Sequence, residues 1–210
     1  LKEIMVINAK GKNNLSLLEK GIIKNALNLS EVIAFPTDTV YGLGANGLLN
    51  DSVEKIYKIK QRDKEKPLIL FLTSIEEASD YIEEPELLKN NIFKKYWPGP
   101  LTAVFEKKKS LTLYYSAGES TTIGIRIPSF PLILDLLTYC KIPLMTTSAN
   151  ISGSPPFKNG FEIEKGLNNQ EPRVSLTIDY GDLPERESST VVSVTKEGIK
   201  VLREGTIKIT

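Results

Sequence analysis

An α/β fold on a mixed sheet is predicted from three observations. Apolar runs of strand length recur along the chain, stretches of helical periodicity separate them, and two strand patterns joined by a short turn close the sequence. The 210 residues suit one domain, expected to span 1–210, since neither an internal repeat nor a long linker divides them.

Leu17, Leu18, Ile22, Ile23, Ala26 and Leu27 follow a 3.6-residue period and predict a first helix; Val32 to Phe35 reads as a buried strand closed by Pro36. The stretch TDTVYGLGANGLLN (37–50) reads as a loop. Asp51 with Glu54 then resembles a capping box, and Val53, Ile56 and Tyr57 give the next helix an apolar face that ends near Lys60. Strands are predicted at 68–72, 101–105, 123–127 and 143–147, with helices around 75–82, 86–96 and 131–139. From Ser152 to Arg186 the sequence is rich in turn residues, so 153–187 reads as a loop long enough to cover a site. VVSV and IKVL, joined by Thr195 to Gly198, predict an antiparallel hairpin and hence a mixed sheet.

Composition excludes more than it selects. With 40% hydrophobic and 25% charged residues the chain is ordinary for a soluble protein, and no apolar run approaches the roughly 20 residues that cross a bilayer. LKEIMVINAK lacks the features of a secretory leader, so the expected location is cytoplasmic. The single cysteine, Cys140, rules out an internal disulfide or multi-cysteine metal site and reads as a buried apolar residue. With no histidine, Ser-His and Cys-His nucleophiles and imidazole-held zinc are excluded. Chemistry by positioning and charge stabilisation remains, in which Lys, Arg, hydroxyls and backbone amides act on phosphate oxygens. The net charge of +1 requires any anion site to come from local clustering.

Gly42, Gly44 and Gly47 match G-x-G-x-x-G, but six residues separate the strand from Gly42 and the helix starts only near Asp51, so a dinucleotide site is not expected. These glycines read equally as close-approach positions or ordinary loop glycines. No G-x-x-x-x-G-K-[ST] occurs. KIYKIKQRDKEKP places six cations in twelve residues at and beyond a helix end, as a phosphate clamp led by Lys60 and Arg62 or as a solvated helix face. Arg126 alternates with apolar residues in IGIRI and faces a cavity or the solvent. TTSAN (146–150), Ser188 to Thr190 and Arg203 add small donors and a further cation, each weak alone.

Taken in order, FPTDTVYGLGAN, KIKQRDKEKPL, YWPGPLT, IGIRIP, TTSANISG, ESSTVV and VLREG resemble the successive motifs of the YrdC-like threonylcarbamoyl-AMP synthase family. The resemblance runs from about Gly21 to Ile207. It implies a twisted open sheet around a concave, positively lined cavity. It also implies synthesis of threonylcarbamoyl-AMP and pyrophosphate from ATP, L-threonine and bicarbonate, with Mg²⁺ carried by ATP. The product would serve threonylcarbamoyl-adenosine formation in tRNA through a separate transfer machinery.

Carried over by motif, Lys60 and Arg62 are the implied catalytic cations. With Lys66, Thr122, Ser148, Asn150 and Arg203 they form the implied ATP set, while Thr39, Arg126, Thr146 and Ser189 form the threonine pocket; no metal ligand is implied. Three positions depart from the pattern: Lys66 where relatives often carry Asn, Phe71 where longer relatives carry His, and Pro156 in place of a serine associated with ATP. Ending soon after VLREG, the chain reads as a short, stand-alone synthase. Two alternatives stand beside this one. One is a non-catalytic RNA-binding module, against which near-neutral charge argues, weak RNA binding being kept as a further partnership. The other is a carbamoyl-adenylate enzyme like the related domain of hydrogenase-maturation proteins, whose companion acylphosphatase and cysteine-rich segments are not found here.

Overall fold

A computed structural model describes residues 5–114, 120–169 and 171–209. Leu1 to Ile4, part of the stretch read for a leader, lie outside the described residues. The chain runs β1 (Met5–Asn8), α1 (Leu17–Asn28), β2 (Ile33–Phe35), β3 (Gly42–Asn46), α2 (Asn50–Lys60), β4 (Ile69–Phe71) and α3 (Ile75–Ala78). There follow α4 (Asn91–Tyr96), β5 (Leu101–Glu106), β6 (Thr122–Arg126), α5 (Pro131–Cys140) and β7 (Leu144–Ser148). Then come α6 (Gly160–Leu167), β8 (Leu176–Asp179), β9 (Thr190–Thr195) and β10 (Gly198–Arg203). The ten strands among the described residues join one twisted, open, mixed sheet in the order β1-β8-β2-β3-β7-β4-β6-β5-β9-β10.

Inner strands such as β2, β4 and β6 are near-continuously apolar because both faces of the sheet are covered there, whereas the edge strands β1 and β10 are largely exposed. In β2 and the residue before it, Val32 and Ala34 pack on one side with Ile56 and Ile59 of α2, while Ile33 and Phe35 face Ile23 and Leu27 of α1 and Leu132 and Leu136 of α5. Cys140 is free and buried in the second of these clusters, as its apolar surroundings in sequence imply.

Several boundaries differ from expectation for identifiable reasons. The capping box at Asp51 and Glu54 does not form: α2 begins at Asn50 with Leu49 as its cap residue and no side-chain cap bond. Ser52 instead turns inward and accepts from the Asn46 amide at 3.1 Å, tying α2 to β3. A capping box does open α1, where Ser16 and Glu19 bond each other's backbone amides. The helix expected over 75–82 shortens to α3, and that over 86–96 divides into a 3-10 turn at Pro85–Lys89 and α4. The stretch 153–187, read as one loop, contains α6 and β8, and β8 inserts in parallel between β1 and β2. Alternation in LTID is too short to register against the surrounding Gly, Pro, Asn and Ser.

The largest correction concerns the glycines. Residues 42–46 are a central strand, paired antiparallel to β2 and β7, and not the loop expected; Gly44 packs beneath Phe35 and Leu144, while Gly42 also reaches the wall of the cavity described below. A Cβ on Gly44 would stand 2.7 Å from Phe35 Cε1 and 3.1 Å from Leu144 Cδ1. Gly44→Ala is therefore expected to lower the unfolding free energy by about 1–3 kcal/mol, read as a reduced urea midpoint with an unchanged m-value. An unchanged midpoint would mean that the Phe35 ring yields without cost.

Candidate active site

A cavity of about 100 Å³ is lined by the turn between β2 and β3 and by residues of β3, β4, β6, β7 and β10, and seven of the eleven residues of the implied ligand sets line it: Thr39, Arg62, Arg126, Thr146, Ser148, Ser189 and Arg203. They come from distant parts of the chain. β6 delivers Arg126 to the floor, where it is only 4% exposed. Its Nε donates to the Gly99 carbonyl at 3.1 Å, Nη1 to Thr39 Oγ1 at 3.0 Å and Nη2 to Asp38 Oδ1 at 2.8 Å. Phe71, directly opposite in the parallel β4–β6 register, lies with its ring centroid 5.6 Å from the guanidinium carbon, within cation–π range. Burial presses the Arg126 pKa down, the Asp38 charge opposes that, and Arg203 adds a smaller repulsion.

The turn after β2 presents Thr39 because Thr37 holds it closed. Thr37 Oγ1 accepts from the amides of Thr39 and Val40 and donates to the Val40 carbonyl at 2.7 Å. Thr146 donates its hydroxyl to the Ile69 carbonyl at 2.9 Å, and Ser189 exchanges a hydrogen bond with Thr102 at 2.8 Å. Arg203, at the end of β10, donates to the Ser189 carbonyl at 2.7 Å and is only partly covered. Burial, then repulsion from Arg62, lowers its pKa, a sign that the two cations stand near each other. Arg62 follows the left-handed Gln61 that ends α2, and is held by the carbonyls of Lys66 and Pro67 at 3.1 and 3.2 Å.

Lys60 is placed differently from a phosphate-binding lysine. It is 1% exposed, and its Nζ donates to the Ser148 carbonyl at 2.5 Å, the Asn150 carbonyl at 2.9 Å and Asn150 Oδ1 at 2.7 Å. These three acceptors match the three N–H donors of an ammonium, so Lys60 fixes the β7 exit from behind. Asn150 is similarly engaged, donating to the carbonyls of Ile151 and Ser154, and Ser148 donates to its Oδ1 at 2.6 Å. Neither Lys60 nor Asn150 is on the cavity wall. Lys66 is exposed, and its backbone carbonyl rather than its ammonium meets Tyr57 and Arg62. Thr122 is at the opposite end of β6 from Arg126 and bonds Ser120. The structure thus does not bring Lys66 or Thr122 to this wall. Sequence reasoning did not single out Thr37 or Asp38; the one available signal was the TDT triplet beside Pro36. A larger cavity, about 490 Å³, lies between α1 and the segment before β8 and includes none of Arg62, Arg126 and Arg203 in its lining.

The Sua5_yciO_yrdC family model, described as "Telomere recombination", matches residues 25–205. The chain belongs to the Sua5/YciO/YrdC family. It is 35% identical over 182 residues to the threonylcarbamoyl-AMP synthase of Bacillus subtilis, covering 86% of this chain and 51% of that protein. It is 32% identical over 185 residues to the enzyme of that name from Vibrio parahaemolyticus, covering 87% of this chain and 97% of the relative. Among solved structures, Pyrococcus abyssi Sua5 complexed with L-threonine superposes with a TM-score of 0.83 at 30% identity, over 96% of this chain and 57% of that one. YciO of Escherichia coli superposes with a TM-score of 0.79 at 26% identity, over 98% and 96%. The chain spans about half the length of the Bacillus and Pyrococcus relatives it matches. Among the described residues no helix is long and apolar enough to cross a membrane.

Burial, and then the nearby Arg62 charge, push the Lys60 pKa down to about 7, from 10.5 in an unperturbed lysine. Between these values the unfolded chain binds more protons, so this group makes the Sua5/YciO/YrdC domain more stable as pH rises from about 7 and adds no further change below it. The urea midpoint of the native chain is expected to gain more between pH 7 and pH 9 than that of Lys60→Gln. Equal gains would mean that Lys60 keeps its proton in the fold.

Proposed function

We propose that the chain is an L-threonylcarbamoyladenylate synthase, converting ATP, L-threonine and bicarbonate into threonylcarbamoyl-AMP and pyrophosphate for tRNA modification. The observation that carries this reading is the convergence of Arg62, Arg126 and Arg203, with the hydroxyls of Thr39, Thr146, Ser148 and Ser189, on one small cavity. Exposure grades the site by depth. The buried Arg126 with Thr39 suits a small carboxylate at the floor, while Arg62 and the more open Arg203 suit phosphate oxygens at the rim.

In the reaction, the threonine amine combines with bicarbonate-derived carbon dioxide to give a carbamate. A carbamate oxygen attacks the α-phosphorus of ATP, the bond to the bridging oxygen breaks, and pyrophosphate leaves. The chain's share is alignment and neutralisation of charge on the phosphoryl oxygens, for which Arg62 and Arg203 are placed. The guanidinium and hydroxyl donors of the wall fit phosphate oxygens rather than a divalent cation, so Mg²⁺ belongs with ATP, shielding the departing pyrophosphate. Lys60 contributes by holding Ser148 and Asn150 at the β7 exit. A cytoplasmic location and delivery of the adenylate to a separate transfer machinery complete the reading.

The test is incubation of purified protein with ATP, Mg²⁺ and bicarbonate, with and without L-threonine, following pyrophosphate and threonylcarbamoyl-AMP by mass spectrometry. Product that requires both threonine and bicarbonate is expected; pyrophosphate release indifferent to threonine would overturn the assignment. Arg62→Ala is expected to reduce turnover by roughly 10³-fold, the scale of a well-placed phosphoryl-stabilising cation. Near-normal turnover in this variant would remove Arg62 from that role.

A further inference from the structure

We propose that Thr102, a buried residue of β5 outside both implied ligand sets, is a positioning residue for the reaction. Its hydroxyl donates to Ser189 and so turns the Ser189 proton into the cavity, towards an anionic oxygen of the substrate. The inference rests on the synthase reading and deepens it. Thr102 is 1% exposed and Ser189 3%, and their hydroxyl oxygens are 2.8 Å apart. Ser189 is on the cavity wall, whereas Thr102 is not and can act on a ligand only through it.

The direction of the bond follows from what else each hydroxyl can reach. Ser189 Oγ is the one side-chain hydrogen-bond partner of Thr102 Oγ1 among the described residues. A buried O–H without an acceptor is costly, so Thr102 gives its proton to Ser189. Nη2 of Arg203, which donates to the Ser189 carbonyl at 2.7 Å, also stands 3.4 Å from Ser189 Oγ, a second donor on the same oxygen. With donors at both acceptor positions, the Ser189 proton is directed away from Thr102 and Arg203, to the cavity side. There it meets acceptors, which suits the oxygens of a carboxylate, carbamate or phosphate. The backbone of this stretch is held without Thr102. The Thr190 amide donates to the Pro100 carbonyl at 3.0 Å, the Thr206 amide to the Ser188 carbonyl at 3.1 Å, and Arg203 to the Ser189 carbonyl. What the Thr102 hydroxyl adds is therefore the orientation of one side chain, set before the substrate arrives.

Thr102→Ala and Thr102→Ser lose the same methyl group and differ by one hydroxyl, so kcat/KM for threonine and for ATP in the two variants isolates this bond. Thr102→Ala is expected to lower kcat/KM for at least one substrate by about 5- to 10-fold, the worth of one neutral hydrogen bond, and Thr102→Ser to stay within about twofold of the native chain. Ser189→Ala removes the group through which Thr102 acts, so adding Thr102→Ala to it is expected to cost less than about twofold more. Native turnover in Thr102→Ala, a Thr102→Ser variant equally impaired, or losses that multiply in the double variant would overturn the proposal and leave Thr102 a packing residue. If Thr102→Ala does not fold, a crystal structure of the native chain with ATP and L-threonine decides. A ligand oxygen within about 3.2 Å of Ser189 Oγ supports the assignment; a ligand ammonium there, or no polar ligand atom, refutes it. A native chain that makes no threonine-dependent product would remove the synthase reading and this proposal with it, whereas an active native chain with multiplying losses removes this proposal alone.

Discussion

A charged guanidinium buried at the centre of the sheet is the constraint around which the site is arranged. Once β6 places Arg126 at 4% exposure, the charge must be met by fixed groups, because burial without partners costs more than the domain can supply. Gly99, Thr39 and Asp38 answer it from two segments far apart in sequence, and Phe71 offers its ring from the neighbouring strand. The turn after β2, the approach to β5 and the pairing of β4 with β6 are all committed by this one side chain.

The cations divide by what surrounds them rather than by their order in the chain. Lys60 and Arg62 are two residues apart, yet Gln61 reverses the backbone into the left-handed region at φ 51° and sends them to different tasks. Lys60, the last residue of α2, points inward and holds the β7 exit through carbonyl oxygens and one amide. Arg62 emerges on the cavity side, steadied by two carbonyls of the next turn. On the synthase reading, the lysine secures Ser148 and leaves the phosphates to the arginines, whose planar forks suit paired oxygens.

Much was legible beforehand. The apolar runs of β4 to β7 stand close to their expected places because strands buried on both faces leave an uninterrupted hydrophobic signal, and the hairpin β9–β10 does so because alternating strands around a short turn are a local pattern. β8 and α6 were hidden, since their register depends on strands far away in sequence and their local composition is that of turns. Residues 42–46 misled for the same reason: glycine in a strand carries no pattern, and only the Phe35 ring packed against it explains the choice.

The sequence by itself determined the class of chemistry. Absence of histidine excluded Ser-His and Cys-His nucleophiles, clustered cations and hydroxyls favoured positioning and charge stabilisation on phosphate oxygens, and the ordered motifs pointed to one family. Tertiary structure alone decided which of those residues meet. Periodicity could not tell whether Arg126 faced water or the interior, nor that Lys60 is consumed by carbonyls while Lys66 stays outside. Asp38 entered for the same physical reason: the partner of a buried charge is fixed by tertiary packing across 88 residues, and no local pattern encodes a contact at that separation.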